Sequence, residues 1–242
     1  MTAIPQRLLV ISPHLDDAVF GCSALLMAHP GAWVATVFAG VPGADVPLPE
    51  WDATCGFASA REAMLARREE DRAALALLGA RSEWLDFPDA QYRDRRPQPG
   101  VADAIAAAIE RARPRLVAIP AGLFHDDHKA AHEAALEALR AHGAVRWLFY
   151  EDALYRRIEG LLGARLERLA EAGFVARRLP RAPFDAGRKR AAVERYASQL
   201  RGLASGGRPG HRDLALAERY WSLTPWRRRP WSSSRTTAAR SS

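Results

Sequence analysis

The chain has 242 residues, 48% hydrophobic and 26% charged, the proportions of an ordinary globular domain long enough to bury one substantial core. Two cysteines exclude a disulfide framework and fit a reducing compartment. No apolar run reaches spanning length, and residues 1–7 lack the basic region and apolar core of a secretory signal, so a cytoplasmic location is expected. The formal net charge is +7, but Arg227, Arg228, Arg229, Arg235 and Arg240 supply five of those charges and leave +2 for residues 1–224.

Strands and helices alternate along the chain. Residues 7–12 and 33–39 read as buried strands, the second rich in β-branched and aromatic side chains. Residues 40–51 form a loop broken by Pro42, Gly43, Pro47 and Pro49. A long helix is predicted over 59–78, closed by Gly79. A short strand over 83–87 leads into an irregular loop, 88–100. Val101, Ile105, Ala108 and Ile109 make an amphipathic helical stripe over 101–112. A strand at 115–119 precedes a helix opening near His128, and a further strand covers 146–150. Ile158, Leu161, Leu162, Leu166 and Leu169 line another helix, 174–179 is an edge strand, and 188–201 is a last helix. The arginine-rich segment 225–242 has the composition of a disordered tail. No basic groove interleaved with aromatics supports nucleic-acid binding. The expected architecture is a single Rossmann-like α/β domain over 1–224, with a mostly parallel sheet flanked by helices.

Two polar runs fall just after strands. Ile11-Ser12-Pro13-His14-Leu15-Asp16-Asp17 ends the first strand, and His125-Asp126-Asp127-His128 follows the strand at 115–119. Ligands of open α/β sheets bind beyond the carboxyl ends of the strands. Topology therefore sends both runs, and the loops 40–58 and 88–100, to one crevice. His14 and Asp17 lie three residues apart in one strand-to-helix turn and can reach the same ion. A second histidine would complete a three-ligand set with a position left for water. Zinc suits that nitrogen-and-oxygen mixture, and Fe(II) or Co(II) also fits it. Asp16, beside Asp17, is placed to take a proton from the attacking water. A further histidine across the substrate would stabilise an oxyanion or protonate a leaving amine.

Pro13-His14-Leu15-Asp16-Asp17 with His125-Asp126-Asp127-His128 resembles the PIG-L/LmbE-like family of metal-dependent de-N-acetylases, which carries Pro-His-x-Asp-Asp and a later His-x-x-His. Residues 36–40, Arg67-x-x-Glu70 with Ala74 and Leu78-Gly79, residues 85–89, and Tyr150-Glu151-Asp152 agree with it. The agreement is strongest over the first two-thirds of the chain. The resemblance implies that His14, Asp17 and His128 hold Zn2+, with Fe2+ as the alternative ion. It implies that Asp16 is the general base, that His125 polarises the carbonyl or stabilises the oxyanion, that Asp127 orients a histidine, and that Arg67 contacts a polar substrate. The implied activity is removal of an N-acetyl or other N-acyl group from an amino-sugar-containing small molecule or glycoconjugate. Leu15, Ala18 and Asp126 depart from the Pro, Glu and Pro common in relatives, without removing a ligand. Two other readings of the same site are an amidase acting on a thiol–sugar conjugate and a non-catalytic metal- or sugar-binding protein.

Several residues have plainer expectations. An Asp-Asp after a strand can simply cap a helix. His132 reads as a surface residue or one that lies behind the ligands. His29, His142 and His211 have no acidic or histidine company at ligand spacing. Cys22 and Cys55 lack CxxC spacing and read as small buried apolar residues. Trp51-Asp52 and Tyr92-Arg93 either bind a sugar or pin their loops, and Arg67 alternatively pairs with Glu70 at i+3.

Overall fold

In the computed structural model, which describes residues 7–93, 98–206, 214 and 216–226, the apolar runs Leu8–Ser12 (β1) and Leu116–Pro120 (β4) are buried at every residue. Continuous apolar strands of this kind belong in parallel sheets covered on both faces. Five further strands complete the sheet: β2 (Trp33–Thr36), β3 (Arg81–Trp84), β5 (Arg146–Tyr150), β6 (Phe174–Arg178) and β7 (Tyr220–Pro225). The order is β3-β2-β1-β4-β5-β7-β6. β1 to β5 run parallel, and β7 is antiparallel to both β5 and β6.

From β1 the chain builds outward to β2 and β3, then returns to β4 and β5 on the other side. The switch point of the sheet therefore lies between β1 and β4, where ligands of such folds bind. His14 follows β1, and His125 and His128 follow β4, so the two polar runs flank that point.

Helices α1 (Asp17–Ala28), α2 (Glu50–Thr54), α3 (Ala60–Leu78), α4 (Val101–Ala112), α5 (Asp126–Ala141), α6 (Leu161–Glu171), α7 (Ala186–Val193) and α8 (Ala197–Leu203) cover the sheet. Strand alternation divides the core. Leu9, Ile11, Val117 and Ile119 pack with Ile105, Ile109, Leu136 and Leu139 on one face. Leu8, Val10, Leu116 and Ala118 pack with Phe20, Leu75 and Val193 on the other. The predicted stripe of α4 is its buried face. At the start of α3, Ser59 accepts the Glu62 N–H, and Gly79 closes the helix in the left-handed conformation at φ 73°.

The structure differs from expectation at several places. The predicted helix over 188–201 is two helices, α7 and α8, broken so that Tyr196 turns into the core, its hydroxyl 2.9 Å from the Leu15 carbonyl oxygen and 3.0 Å from Asp71 Oδ1. β7 was not anticipated; it inserts between β5 and β6 and takes Pro225 into the sheet. The strands expected over 33–39 and 83–87 end at Thr36 and Trp84; beyond them the two segments stay joined by a Phe38–Asp86 bridge and by the Gly40 N–H, which donates to the Phe87 carbonyl at 2.9 Å. α6 begins only at Leu161, so Ile158 stays outside it and exposed. Most residues of α1 are buried. His211 and residues 227–242 lie outside the described residues. Among the described residues no helix is long and apolar enough to cross a membrane.

Candidate metal centre and active site

The turn from β1 into α1 is built around Ser12. Its hydroxyl donates to the His14 carbonyl (2.6 Å) and accepts the Ala18 N–H (3.0 Å). That double bond takes the capping role that an Asp-Asp pair would otherwise fill. Asp16 occupies the cap position but makes no side-chain capping bond. Asp17 Oδ2 instead accepts the His14 backbone N–H at 2.9 Å. The same oxygen lies 3.2 Å from His14 Nδ1 and 3.1 Å from His128 Nε2. The resemblance-based trio His14, Asp17 and His128 is thus brought together, with one donor atom from each within 4.8 Å of the others.

Each histidine of the trio has a buried carboxylate at its other nitrogen. His14 Nε2 lies 3.1 Å from Asp127 Oδ2, and His128 Nδ1 lies 3.0 Å from Asp152 Oδ1. Carboxylate–histidine pairs fix ring orientation and raise ligand basicity at metal centres; the His14–Asp127 contact is a hydrogen bond, and the His128–Asp152 contact is a close ion pair. Asp127 is itself held by the Ala90 N–H (2.9 Å) and by the Arg93 guanidinium. Asp152 accepts the Leu123 N–H at 2.6 Å. A nitrogen-rich donor set, inward-facing and oriented from behind, fits a divalent transition metal. His14, His125 and Asp127 also lie close enough to share an ion. There, however, Asp127 is already occupied by Arg93 and Ala90, so the first trio is the better ligand set.

His125 caps α5, with Nδ1 accepting the Asp127 N–H at 3.2 Å. Its ring stands edge-on to His14 and to His128, with centroids 5.1 and 5.7 Å away. Burial, then the neighbouring His14 and His128, push it down to about 4, so it is neutral at pH 7. With Nδ1 acting as acceptor, the proton of that neutral ring is assigned to Nε2, which makes Nε2 a hydrogen-bond donor.

The carboxylates of the turn are split. Burial, reinforced by Asp17, pushes Asp16 up to about 7. For Asp17 burial acts in the same direction, but His128 and His14 outweigh it and hold the group well below the usual carboxylate range. Burial would lower His128, yet Asp17 and Asp152 raise it to about 9. Two adjacent carboxyls with opposed shifts suit separate roles, one as a permanent anion and one as a base working near neutral pH.

Arg67 sits elsewhere. Its guanidinium, 4% exposed, donates from Nη2 to Asp52 Oδ1 (2.5 Å) and from Nη1 to the Tyr92 hydroxyl (3.2 Å), and Tyr92 donates to Asp52 Oδ2 (2.7 Å). This triad ties α2 and the 3-10 turn Ala90–Tyr92 to α3. Asp52 and Tyr92 therefore pin the rim loops. The alternative Arg67–Glu70 pair is corrected: Glu70 accepts from the Ser198 backbone N–H and hydroxyl, at 2.8 and 2.6 Å. His132 is not a surface residue; it is fully buried, with Nδ1 2.7 Å from the Pro120 carbonyl oxygen. His29 and His142 each place Nδ1 2.8 Å from the carbonyl four residues earlier. Cys22 and Cys55 are buried, as expected. Asp152, within the Tyr150-Glu151-Asp152 run, and Tyr155 carry no role in the sequence reading. Asp152 follows β5 just as His14 follows β1, and that position was the available signal. The Tyr155 ring lies 5.2 Å from that of His128.

Residues 9–139 match the sequence pattern of the PIG-L family, described as GlcNAc-PI de-N-acetylase. The chain is 33% identical over 164 residues to the 2'-N-acetylparomamine deacetylase of Streptomyces fradiae, covering 62% of this chain and 57% of that protein. It spans about 60% of the length of the curated relatives it matches. A crystal structure of a deacetylase triple mutant from the teicoplanin biosynthetic pathway superimposes with a TM-score of 0.75 at 31% identity, covering 90% of this chain and 98% of that one. A zinc-inhibited form of teicoplanin deacetylase gives a TM-score of 0.72 at 28% identity, with the same coverage.

Proposed function

The chain belongs to the PIG-L family, and from that premise we propose that it is a metal-dependent hydrolase that removes an N-acetyl group from an amino-sugar-containing substrate. The observation that carries this reading is the pairing of His14 with Asp127 and of His128 with Asp152 around Asp17, beside an Asp16 that no capping bond uses.

His14, Asp17 and His128 would hold the ion. A bound divalent metal supplies Lewis-acid polarisation of the amide carbonyl and acidifies a coordinated water. Asp127 and Asp152 keep the two imidazoles turned toward Asp17. Asp16 accepts the proton of the attacking water. His125 donates from Nε2 to the carbonyl oxygen as negative charge develops there. The proton held by Asp16 then passes to the departing amine, giving a free amine and acetate. Arg67 serves the substrate by fixing the rim through Asp52 and Tyr92. The donor set favours zinc, and Fe2+ is the other ion of this reading, given a relative with a zinc-inhibited form.

The test is amine release from a panel of N-acetylated amino sugars and thiol–sugar conjugates, before and after chelation and with Zn2+ or Fe2+ restored. The expected result is acetate and free amine from an N-acetyl amino sugar, abolished by chelation and recovered with one of the two ions. Metal binding without hydrolysis of any amide would overturn the enzymatic reading.

A further inference from the structure

Beyond the metal crevice, the carboxyl edge of the sheet holds a second depression. Arg156, Arg157, Arg181, Leu216, Ala217 and Arg219 line a cleft of about 630 Å³, within the size range of small-ligand sites. Four of these six residues carry a guanidinium, and among the described lining residues there is no carboxylate. We propose that this cleft binds the anionic part of the substrate, a phosphate or carboxylate group carried by the amino sugar. The inference rests on the deacetylase reading for its substrate and on the cleft alone for its chemistry.

Topology puts the cleft beside the reaction centre. Arg156 and Arg157 follow the carboxyl end of β5, and Arg181 follows that of β6. β7 runs the other way, so Leu216, Ala217 and Arg219, which precede it, come to the same edge; Tyr150 pairs with Tyr220 and Arg178 with Trp221. At roughly 4.8 Å per strand, this edge lies about 10–15 Å from the β1–β4 switch point. One loop joins the two places. Asp152 supports His128 from behind, Tyr155 packs against the His128 ring, and Arg156 and Arg157 are the next residues. A sugar with its acetamido group at the metal centre would extend along this loop.

The chemistry is selective for oxyanions. Arginine presents a planar fork that matches carboxylate and phosphate oxygens in a bidentate manner. Two of the four are pre-positioned: Arg156 donates to the Ala217 carbonyl (3.1 Å), and Arg219 Nη1 lies 3.5 Å from Glu151 Oε2. Glu151 is in turn held by the Trp221 indole N–H at 3.0 Å. Guanidiniums gathered in one cleft focus a positive field into it.

The experiment uses the full chain, loaded with metal, and two exposed arginines. Amine release is measured with N-acetylglucosamine and with its 1-phosphate and 6-phosphate, for wild type, for Arg157→Glu combined with Arg181→Glu, and for the milder Arg181→Gln. In parallel, inorganic phosphate is titrated calorimetrically at low and high NaCl. At least one phosphorylated sugar is expected to exceed the neutral sugar in kcat/KM by about tenfold or more, and that ratio is expected to collapse in the double variant and shrink in Arg181→Gln. Phosphate affinity is expected to fall about tenfold in the double variant and to weaken with salt. A ratio near one in wild type, or an unchanged ratio in both variants, overturns the anion site. If no amide is cleaved at all, the deacetylase reading fails, and the titration alone decides the cleft: loss of phosphate binding in the variants upholds it, and unchanged binding overturns it.

Discussion

This molecule holds two buried ionic clusters, and they are built on opposite principles. In the Asp52–Arg67–Tyr92 triad one cation meets one anion, and a phenol bridges them, so the charge closes on itself. Around His14 and His128, the carboxylates Asp16, Asp17, Asp127 and Asp152 outnumber the fixed cations, of which Arg93 is the one bonded to Asp127. Buried charge is expensive unless paired. A closed cluster is therefore structural, whereas the anion-rich cluster with its oriented imidazoles is the one proposed to take a metal ion. On the proposed reading, the difference separates the residues that shape the rim from those that do chemistry.

The largest effect should come from Asp16, whose side chain belongs to the second cluster without being a ligand. Asp16→Asn is expected to lower kcat by about 10²- to 10⁴-fold while metal content stays at the wild-type value. Loss of both together would merge base and ligand and break the distinction. In the closed cluster, Arg67→Ala leaves Asp52 buried without its cation and is expected to destabilise the fold by about 3–5 kcal/mol in urea unfolding. The pair Arg67→Met with Asp52→Leu should recover most of that loss, since a buried ion pair is replaceable by packed apolar side chains. A double variant no more stable than Arg67→Ala would contradict the structural assignment.

Smaller effects test the supports. Asp152→Asn leaves every ligand in place but loosens the His128 ring. It should weaken metal binding by about 10- to 100-fold, with kcat near wild type at saturating metal. An unchanged dissociation constant would remove Asp152 from the centre. A pH effect concerns Asp71, a buried carboxyl outside both clusters that accepts from the Trp84 indole N–H at 2.8 Å. Burial pushes it up to about 7. The folded chain therefore holds a proton that the unfolded chain releases above about pH 4. Stability from this group falls as pH rises through roughly 4 to 7, by at most about 1.4 kcal/mol per pH unit. Asp71→Asn should flatten that slope between pH 5 and 7, and parallel stability curves would refute it.

The parts legible from sequence share one property: their signal is local. The apolar runs of β1 and β4, the stripe of α4, the Ser59 cap and Gly79 stop of α3, and the His/Asp runs at strand ends all depend on residues close in the chain. What escaped depends on distant partners. β7 forms a strand because β5 and β6 flank it. Tyr196 breaks a helix because Asp71 and Leu15 await its hydroxyl. His132 sits one turn beyond His128 on the same helix, yet it meets the Pro120 carbonyl where His128 meets Asp17 and Asp152. Spacing placed both histidines on one helical face, and only the fold separates their fates. Arg67 is the reverse case: its motif drew attention to it, and its partners, Asp52 and Tyr92, are 15 and 25 residues away.

The measurement that bears most directly on the central claim is metal stoichiometry, by elemental analysis after reconstitution with Zn2+ or Fe2+, on wild type, Asp16→Ala and Asp17→Ala. Two neighbouring carboxylates are assigned opposite roles here, so they must part company. About one ion per chain is expected in wild type and in Asp16→Ala, with ion lost from Asp17→Ala, because the proposed centre holds its metal by three protein ligands and Asp16 is not among them. Retention of the ion by Asp17→Ala, or its loss from Asp16→Ala, would contradict the assignment of His14, Asp17 and His128 as the metal centre.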